Sequence, residues 1–319
     1  MNCGVEIRDL RKTFALTRWQ GLRRRVTTVT AVDGITLDVP GGQSVAFIGP
    51  NGAGKSTTIK MLTGILHPSG GTVKVAGFTP WIERRKLAQH IGAVFGQRSQ
   101  LWYHLPPRDT FELIARIYGL ERGAFNQTRD ALVDRFALSS FMDTPVRKLS
   151  LGQRMRAEVA ASLLHRPQIV FLDEPTIGLD AIARQELRDL VREWNVKEGV
   201  TVFLTSHDAG DIEHVASRVV VINHGRVVVD GAVTEVRRRY VNTRILRAQF
   251  QDLPRAVDVP GSVMRSQSAY EWVMEIDVSV TPVHDAIARL VEAGPVADVS
   301  VEDPPLERVI TRIYREHAP

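Results

Sequence analysis

Apolar and polar positions alternate from Val5 to Phe14 and again from Ala31 to Val39, the period-two pattern of strands with one buried face. A basic insertion, Ala15 to Thr30, stands between them. Ser44 to Ile48 is a short, mostly apolar run. A glycine-rich loop and a helix-forming stretch, Lys55 to Gly64, follow it, giving a strand-loop-helix unit. Ile169 to Leu172 and Val200 to Leu204 repeat the short apolar run, each after a helical stretch, which predicts an α/β unit around a largely parallel sheet. Thr110 to His165 reads as mostly helical. Val219 to Ile222, the turn His224-Gly225 and a strand from Arg226 to Asp230 complete the unit.

The arginine run near residue 238 marks the expected boundary, with a first domain at 1–238, its helical subdomain at about 100–165, and a small α+β domain at 239–319. Strands are expected there at Ile245 to Phe250, Glu271 to Val278 and Val296 to Val301. Val283, Ile287, Leu290 and Val291 are expected to share one helix face, and Leu306, Val309, Ile310 and Ile313 another. No internal repeat is present.

Composition narrows the class. The 319 residues suit about two domains, and 44% hydrophobic with 24% charged residues is the balance of a folded protein. No apolar run approaches the ~20 residues that cross a bilayer, and Met1 to Lys12 holds no signal-like segment, so a cytoplasmic chain is expected. Cys3 is the only cysteine, which excludes an intramolecular disulfide and a cysteine metal cluster. The net charge of +5 and the runs Arg23 to Arg25 and Arg237 to Arg239 suit nucleic acid or anionic headgroups, and equally suit solvated arginines.

The chemistry begins at Gly49-Pro50-Asn51-Gly52-Ala53-Gly54-Lys55-Ser56-Thr57, a complete P-loop pattern placed after a strand and before a helix. Its glycines let backbone N–H groups turn inward onto phosphate oxygens, Lys55 adds charge, and the Ser56 hydroxyl suits Mg²⁺. Ile169 to Asp173-Glu174 is an apolar strand ending in two carboxylates, at the carboxyl edge where such sheets bind ligands. Asp173 is placed to hold Mg²⁺ through its water shell, and Glu174 to accept a proton from attacking water. Alone, such a pair is more often a helix cap or surface charge. Ser150 and Gln153, in Leu149-Ser150-Leu151-Gly152-Gln153, have the spacing of a capping box.

Together these motifs resemble an ABC ATPase, in which a Leu-Ser-Gly-Gly-Gln signature precedes the acidic strand by some two dozen residues. Leu151 departs from that signature, while Ser150, Gly152 and Gln153 keep it. Leucine there, with the phrase Phe95-Gly96-Gln97-Arg98-Ser99-Gln100-Leu101-Trp102, is similar to cassettes of bacterial exporters of the drug-resistance type. The resemblance implies a P-loop NTPase of the α/β class with a mostly parallel central sheet, an antiparallel β subdomain and a helical signature subdomain. It implies further roles residue by residue. Gln97 would contact Mg²⁺ or water and report nucleotide state, and His207 would touch the γ-phosphate and orient Glu174. Asp180 would couple two nucleotide sites across a dimer. Phe14 matches the aromatic that stacks on adenine, with ordinary core packing the alternative. The Ala15 to Thr30 insertion suits lipid or a permease, or else a plain extended hairpin.

The implied protein binds ATP and Mg²⁺ and hydrolyses ATP. It works with a second ATPase subunit, identical or different, and with separate membrane permease subunits. Its expected place is peripheral, on the cytoplasmic face of the membrane, with no nucleic-acid partner. The competing expectation is an ABC-type ATPase acting on ribosomes or nucleic acid, against which stand a single P-loop and no sustained heptads.

Overall fold

A computed structural model describes residues 4–20, 23–96, 99–240 and 242–316, with the backbone alone for 16–20 and 23–26. The chain divides into two compact units, Met1–Val233 and Thr234–Pro319. In chain order the first contains β1 (Val5–Gln20), β2 (Arg23–Val39), β3 (Ser44–Ile48), α1 (Lys55–Leu62), β4 (Gly70–Val75), α2 (Arg84–Ala88) and β5 (Ile91–Phe95). Then come α3 (Pro107–Tyr118), α4 (Arg122–Arg135), α5 (Leu151–Leu163), β6 (Ile169–Asp173), α6 (Ala181–Glu198), β7 (Thr201–Thr205), α7 (Ala209–Val215), β8 (Arg218–Asn223) and β9 (Arg226–Ala232).

Six strands form the central sheet in the order β5-β6-β7-β3-β8-β9, all parallel except β9 at the edge. Every residue of β3 and β7 is buried, as expected where both faces of a parallel sheet are covered. On one face Phe203 packs against Phe47 and Phe171 at ring separations of 5.2 and 5.6 Å, binding β7 to β3 and β6. On the other, Val170, Leu172, Val202 and Leu204 pack with residues of the helical subdomain such as Phe111, Phe125, Phe136 and Met155. Phe95, Asp173 and Thr205 lie in register, so β5, β6 and β7 end level with one another.

The antiparallel subdomain is the sheet β2-β1-β4. Of the readings of the insertion, its backbone takes that of an extended hairpin. The ladder continues from Thr13↔Thr30 to Gln20↔Arg23, so the backbone of the insertion extends β1 and β2. The β-branched run Thr27 to Thr30 favours that continuation.

In the second unit, α8 (Val233–Tyr240) carries the arginine run, which sits in a helix and not in a linker. There follow β10 (Thr243–Phe250), β11 (Ser262–Gln267), β12 (Glu271–Asp277), α9 (Val283–Ala293), β13 (Val296–Glu302) and α10 (Leu306–Glu316), with sheet order β11-β12-β10-β13. Sequence reasoning missed β11, a mostly exposed edge strand whose polar run shows no alternation. On α9 the buried face is Ala286, Leu290 and Ala293, while Val291 is exposed, contrary to expectation. Leu306, Val309 and Ile313 of α10 are buried as the pattern predicts.

Candidate active site

The carboxyl ends of β3, β6 and β7 converge on one edge of the central sheet. The loop after β3 turns back on itself through Gly52 (φ 82°) and Gly54 (φ 106°), conformations that side chains disfavour. A Cβ on Gly54 would stand 2.4 Å from the Ala31 carbonyl oxygen, so the residue also permits close backbone approach. Ala53 is buried and accepts from Gly225 N at 3.0 Å, which ties the loop to the β8–β9 turn, whereas Asn51 and Gly52 are exposed. Gly49 lies under Ile222, and Pro50 accepts from Ala53 N at 3.1 Å.

Lys55, Ser56 and Thr57 form the first turn of α1, which has no side-chain cap. Its first-turn N–H groups therefore suit an anion. Lys55 is buried, with Nζ donating to the Gly49 and Pro50 carbonyls at 2.6 and 3.2 Å. Burial pushes the amine below its ordinary range, opposed by the charges of Glu174 and Asp173.

At the end of β6, Asp173 Oδ1 accepts from Thr205 Oγ1 at 2.6 Å and from Ser56 Oγ at 3.4 Å. Glu174 adopts φ 54° and its N–H donates to both the carbonyl and the hydroxyl oxygen of Thr205, each at 3.1 Å. Glu174 Oε1 lies 2.7 Å from His207 Nε2, which stands two residues beyond β7. Gly96 approaches the same pair from β5, where a Cβ would meet the carbonyl oxygens of Asp173 and Glu174, each at 2.9 Å. Gln97 itself lies outside the described residues.

Ser150, Gly152, Gln153 and Asp180 make a second cluster. Ser150 Oγ accepts from Gln153 N at 3.2 Å and Gln153 Oε1 accepts from Ser150 N at 2.9 Å, a complete capping box on α5. Asp180 caps α6 by accepting from Ala183 N at 2.8 Å. The two helix starts meet, since a Cβ on Gly152 would stand 3.0 Å from that of Ala183. Among the described residues no hydrogen bond joins Ser150, Gly152, Gln153 or Asp180 to Lys55, Asp173 or Glu174. Phe14 is half-buried on β1 with the Lys12 ammonium 5.1 Å from its ring centre, and it is outside the core clusters.

Sequence reasoning overlooked Thr205, whose one hydroxyl touches both Asp173 and Glu174, and Gly96, whose lack of a side chain admits the close approach. Both sit beside noted residues, and their signal was the phrase around His207 and Gln97. No group of three or more histidines, cysteines and carboxylates forms a metal cage among the described residues. The donor set, one hydroxyl and one oriented carboxylate, instead fits Mg²⁺, which takes few protein ligands and completes its shell with phosphate oxygens and water.

A lysine-bearing anion loop facing an acidic pair across the carboxyl edge of a parallel sheet defines a P-loop nucleotide hydrolase. Comparison with known proteins gives the particular family. A sequence profile described as ABC transporter matches residues 32–177. The daunorubicin/doxorubicin resistance ATP-binding protein DrrA of Streptomyces peucetius is 36% identical over 73% of this chain and 69% of its own length. The doxorubicin resistance ATP-binding protein DrrA of Mycobacterium tuberculosis is 29% identical over 96% of this chain and 92% of its own. Among solved structures, cbiO1 of Clostridium perfringens, part of the ABC transporter complex cbiONQ, superposes with a TM-score of 0.62 at 26% identity, covering 74% of this chain and 91% of that one. The chain belongs to the ABC transporter family, as an ATP-binding subunit that hydrolyses ATP.

Proposed function

We propose that this subunit drives export of a drug-like or antibiotic-like compound through separate membrane permease subunits, working as one of two cassettes on the cytoplasmic membrane face. The observation that carries the site assignment is the Glu174–His207 contact of 2.7 Å, set at the same sheet edge as the P-loop lysine. Bound ATP places its β- and γ-phosphates in the loop from Gly49 to Thr57, where Lys55 and the first-turn N–H groups of α1 meet their charge. Phe14 stacks on the adenine. Ser56 and Asp173, with Gln97, would hold Mg²⁺, which would supply positive charge against the phosphates. Glu174 takes the proton of the attacking water, and His207 fixes the carboxylate and reaches the γ-phosphate. A carboxylate base at hydrogen-bond distance from its orienting histidine has the geometry this role requires.

The signature residues act on a different molecule. Ser150, Gly152 and Gln153 lie in their own cluster with Asp180, and a second cassette facing the first would carry them to the far side of ATP. Closing on ATP and reopening after hydrolysis is then the stroke passed to the permease. Among the described residues no helix is long and apolar enough to cross a membrane, so a permease is required for transport in this reading. The drug-resistance names of the relatives favour export over the ribosomal alternative.

The test is recovery of tagged protein from detergent-solubilised membranes. Co-purification with a multi-span permease, and a changed ATPase rate in that complex, is expected. Recovery with ribosomes in RNase-sensitive form, with no membrane protein attached, would overturn the assignment.

A further inference from the structure

His207 is flanked by two residues that are pinned to one partly buried ionic network. Asp211 is 1% exposed; its Oδ1 accepts from Arg188 Nε at 2.7 Å, and its Oδ2 accepts from Ser206 Oγ at 2.5 Å and from Thr176 Oγ1. Asp208 accepts from Arg188 Nη2 at 2.9 Å and from Arg184 Nη1 at 2.6 Å, and its own N–H donates to Ser206 Oγ at 3.0 Å. The side chains on both sides of the histidine are thus tied, Asp208 directly and Ser206 through Asp211, to arginines that belong to α6.

The same arginines reach the loop of Asp180. Asp180 caps α6, Arg184 lies one turn into it and Arg188 two turns in. Arg184 Nη2 donates to the Leu179 carbonyl at 3.1 Å. A glycine makes room for the network: a Cβ on Gly210, in the first turn of α7, would meet the Arg188 guanidinium at 2.9 to 3.0 Å. Burying the Arg188–Asp211 pair costs free energy that hydrophobic packing avoids, so stability alone is a poor reason to build it.

We infer that Arg184 and Arg188 are positioning residues that hold His207 in register with the Asp180 loop, so that a second subunit seated against Asp180 sets where the histidine stands. The inference rests on the role proposed above for His207. A displacement of α6 at its N-terminus is carried through two guanidiniums to Ser206 and Asp208, and hence to the Nε2–Glu174 contact. Nucleotide binding is untouched, because neither arginine is part of the P-loop.

The test is a double-mutant cycle on the full chain, with steady-state ATPase as the readout. Arg188→Lys keeps the charge but not the fork that spans Asp208 and Asp211. It is expected to lower kcat about tenfold with KM for ATP within about twofold. In a His207→Ala background the same substitution is expected to change kcat by less than about twofold, because two residues acting through one contact are not additive. Gly210→Ala supplies a second variant that folds without loss of any charge, and it is expected to show the same pattern more weakly. If His207→Ala turns over at the wild-type rate, the underlying site reading fails. If His207→Ala is impaired but Arg188→Lys and Gly210→Ala are not, or if their losses multiply fully with that of His207→Ala, the positioning role fails.

Discussion

Replacing Leu151 by glycine restores the residue usual in the family signature and separates backbone from side chain there. Leu151 is the first residue of α5 and lies outside the positive-φ residues, so the position does not call for glycine. The N–H is present in either residue. The side chain, by contrast, is half-buried against the helical-subdomain core, and its Cδ2 comes within 2.8 Å of where a Gly178 Cβ would stand. Burying a leucine fully is worth about 1.5–3 kcal/mol, so half-burial contributes about 1 kcal/mol. Glycine for leucine costs up to about 0.8 kcal/mol more, the helix-interior figure being an upper bound at this first position. The sum, about 2 kcal/mol, corresponds to about 4–8 °C in the unfolding midpoint for a unit the size of Met1–Val233. Turnover should stay within about tenfold, or about 1.4 kcal/mol in the barrier. Calorimetry and ATPase assays on one preparation of the Leu151→Gly variant test both statements. A rate change of a hundredfold with the midpoint unmoved would show that the side chain acts in the chemistry and that the packing account is wrong.

Three further outcomes are expected. Glu174→Gln should bind MgATP and lose hydrolysis by about 10²–10⁴-fold, since an amide cannot take the water's proton; equal turnover in both proteins would remove Glu174 as base. Lys55→Ala should weaken nucleotide binding itself, seen as a raised Kd for a fluorescent ATP analogue, and an unchanged Kd would dismiss the lysine as a phosphate contact. His165 is half-buried, stacks on Tyr118 at 4.1 Å and lies 2.9 Å from the Ile91 carbonyl, and its pKa is lowered, chiefly by desolvation, from 6.5. The unfolded chain then takes up a proton that the folded one refuses as pH falls through 6.5, so stability drops below that pH by up to about 1.4 kcal/mol per unit. Urea unfolding at several pH values should show this slope reduced in His165→Phe; parallel curves would rule the group out.

The legible parts of the sequence were those where one physical requirement dictates residue type. Strands buried on two faces, such as Ser44–Ile48 and Thr201–Thr205, need apolar centres, Val45 to Ile48 and Val202 to Leu204, and the loop that follows the first needs glycine at φ 82° and 106°. Residues with two possible jobs were less clear. Ser150 and Gln153 do form the capping box their spacing predicts, yet that bond pattern is compatible with an additional role at a subunit interface. Arg184, Arg188 and Asp211 look like surface charges in the sequence, because burial of an ion pair depends on where α6 and α7 pack and leaves no period in the chain. The edge strand β11 has one face in solvent and little hydrophobic signal to give.

Glu174 illustrates why the finer geometry could not be anticipated. A glutamate at φ 54° costs of order 1–3 kcal/mol, and nothing in Asp173-Glu174-Pro175 announces it. The conformation is sustained from elsewhere in the chain: the Glu174 N–H is bound by both oxygens of Thr205, and the same hydroxyl donates to Asp173. Without that reversal, successive carboxylates on an extended strand would face opposite sides of the sheet. With it, Asp173 turns to Ser56 of the phosphate loop while Glu174 turns to His207. One hydroxyl, thirty-one residues after Glu174, thereby fixes the backbone and carboxylate of two adjacent acids at the same sheet edge.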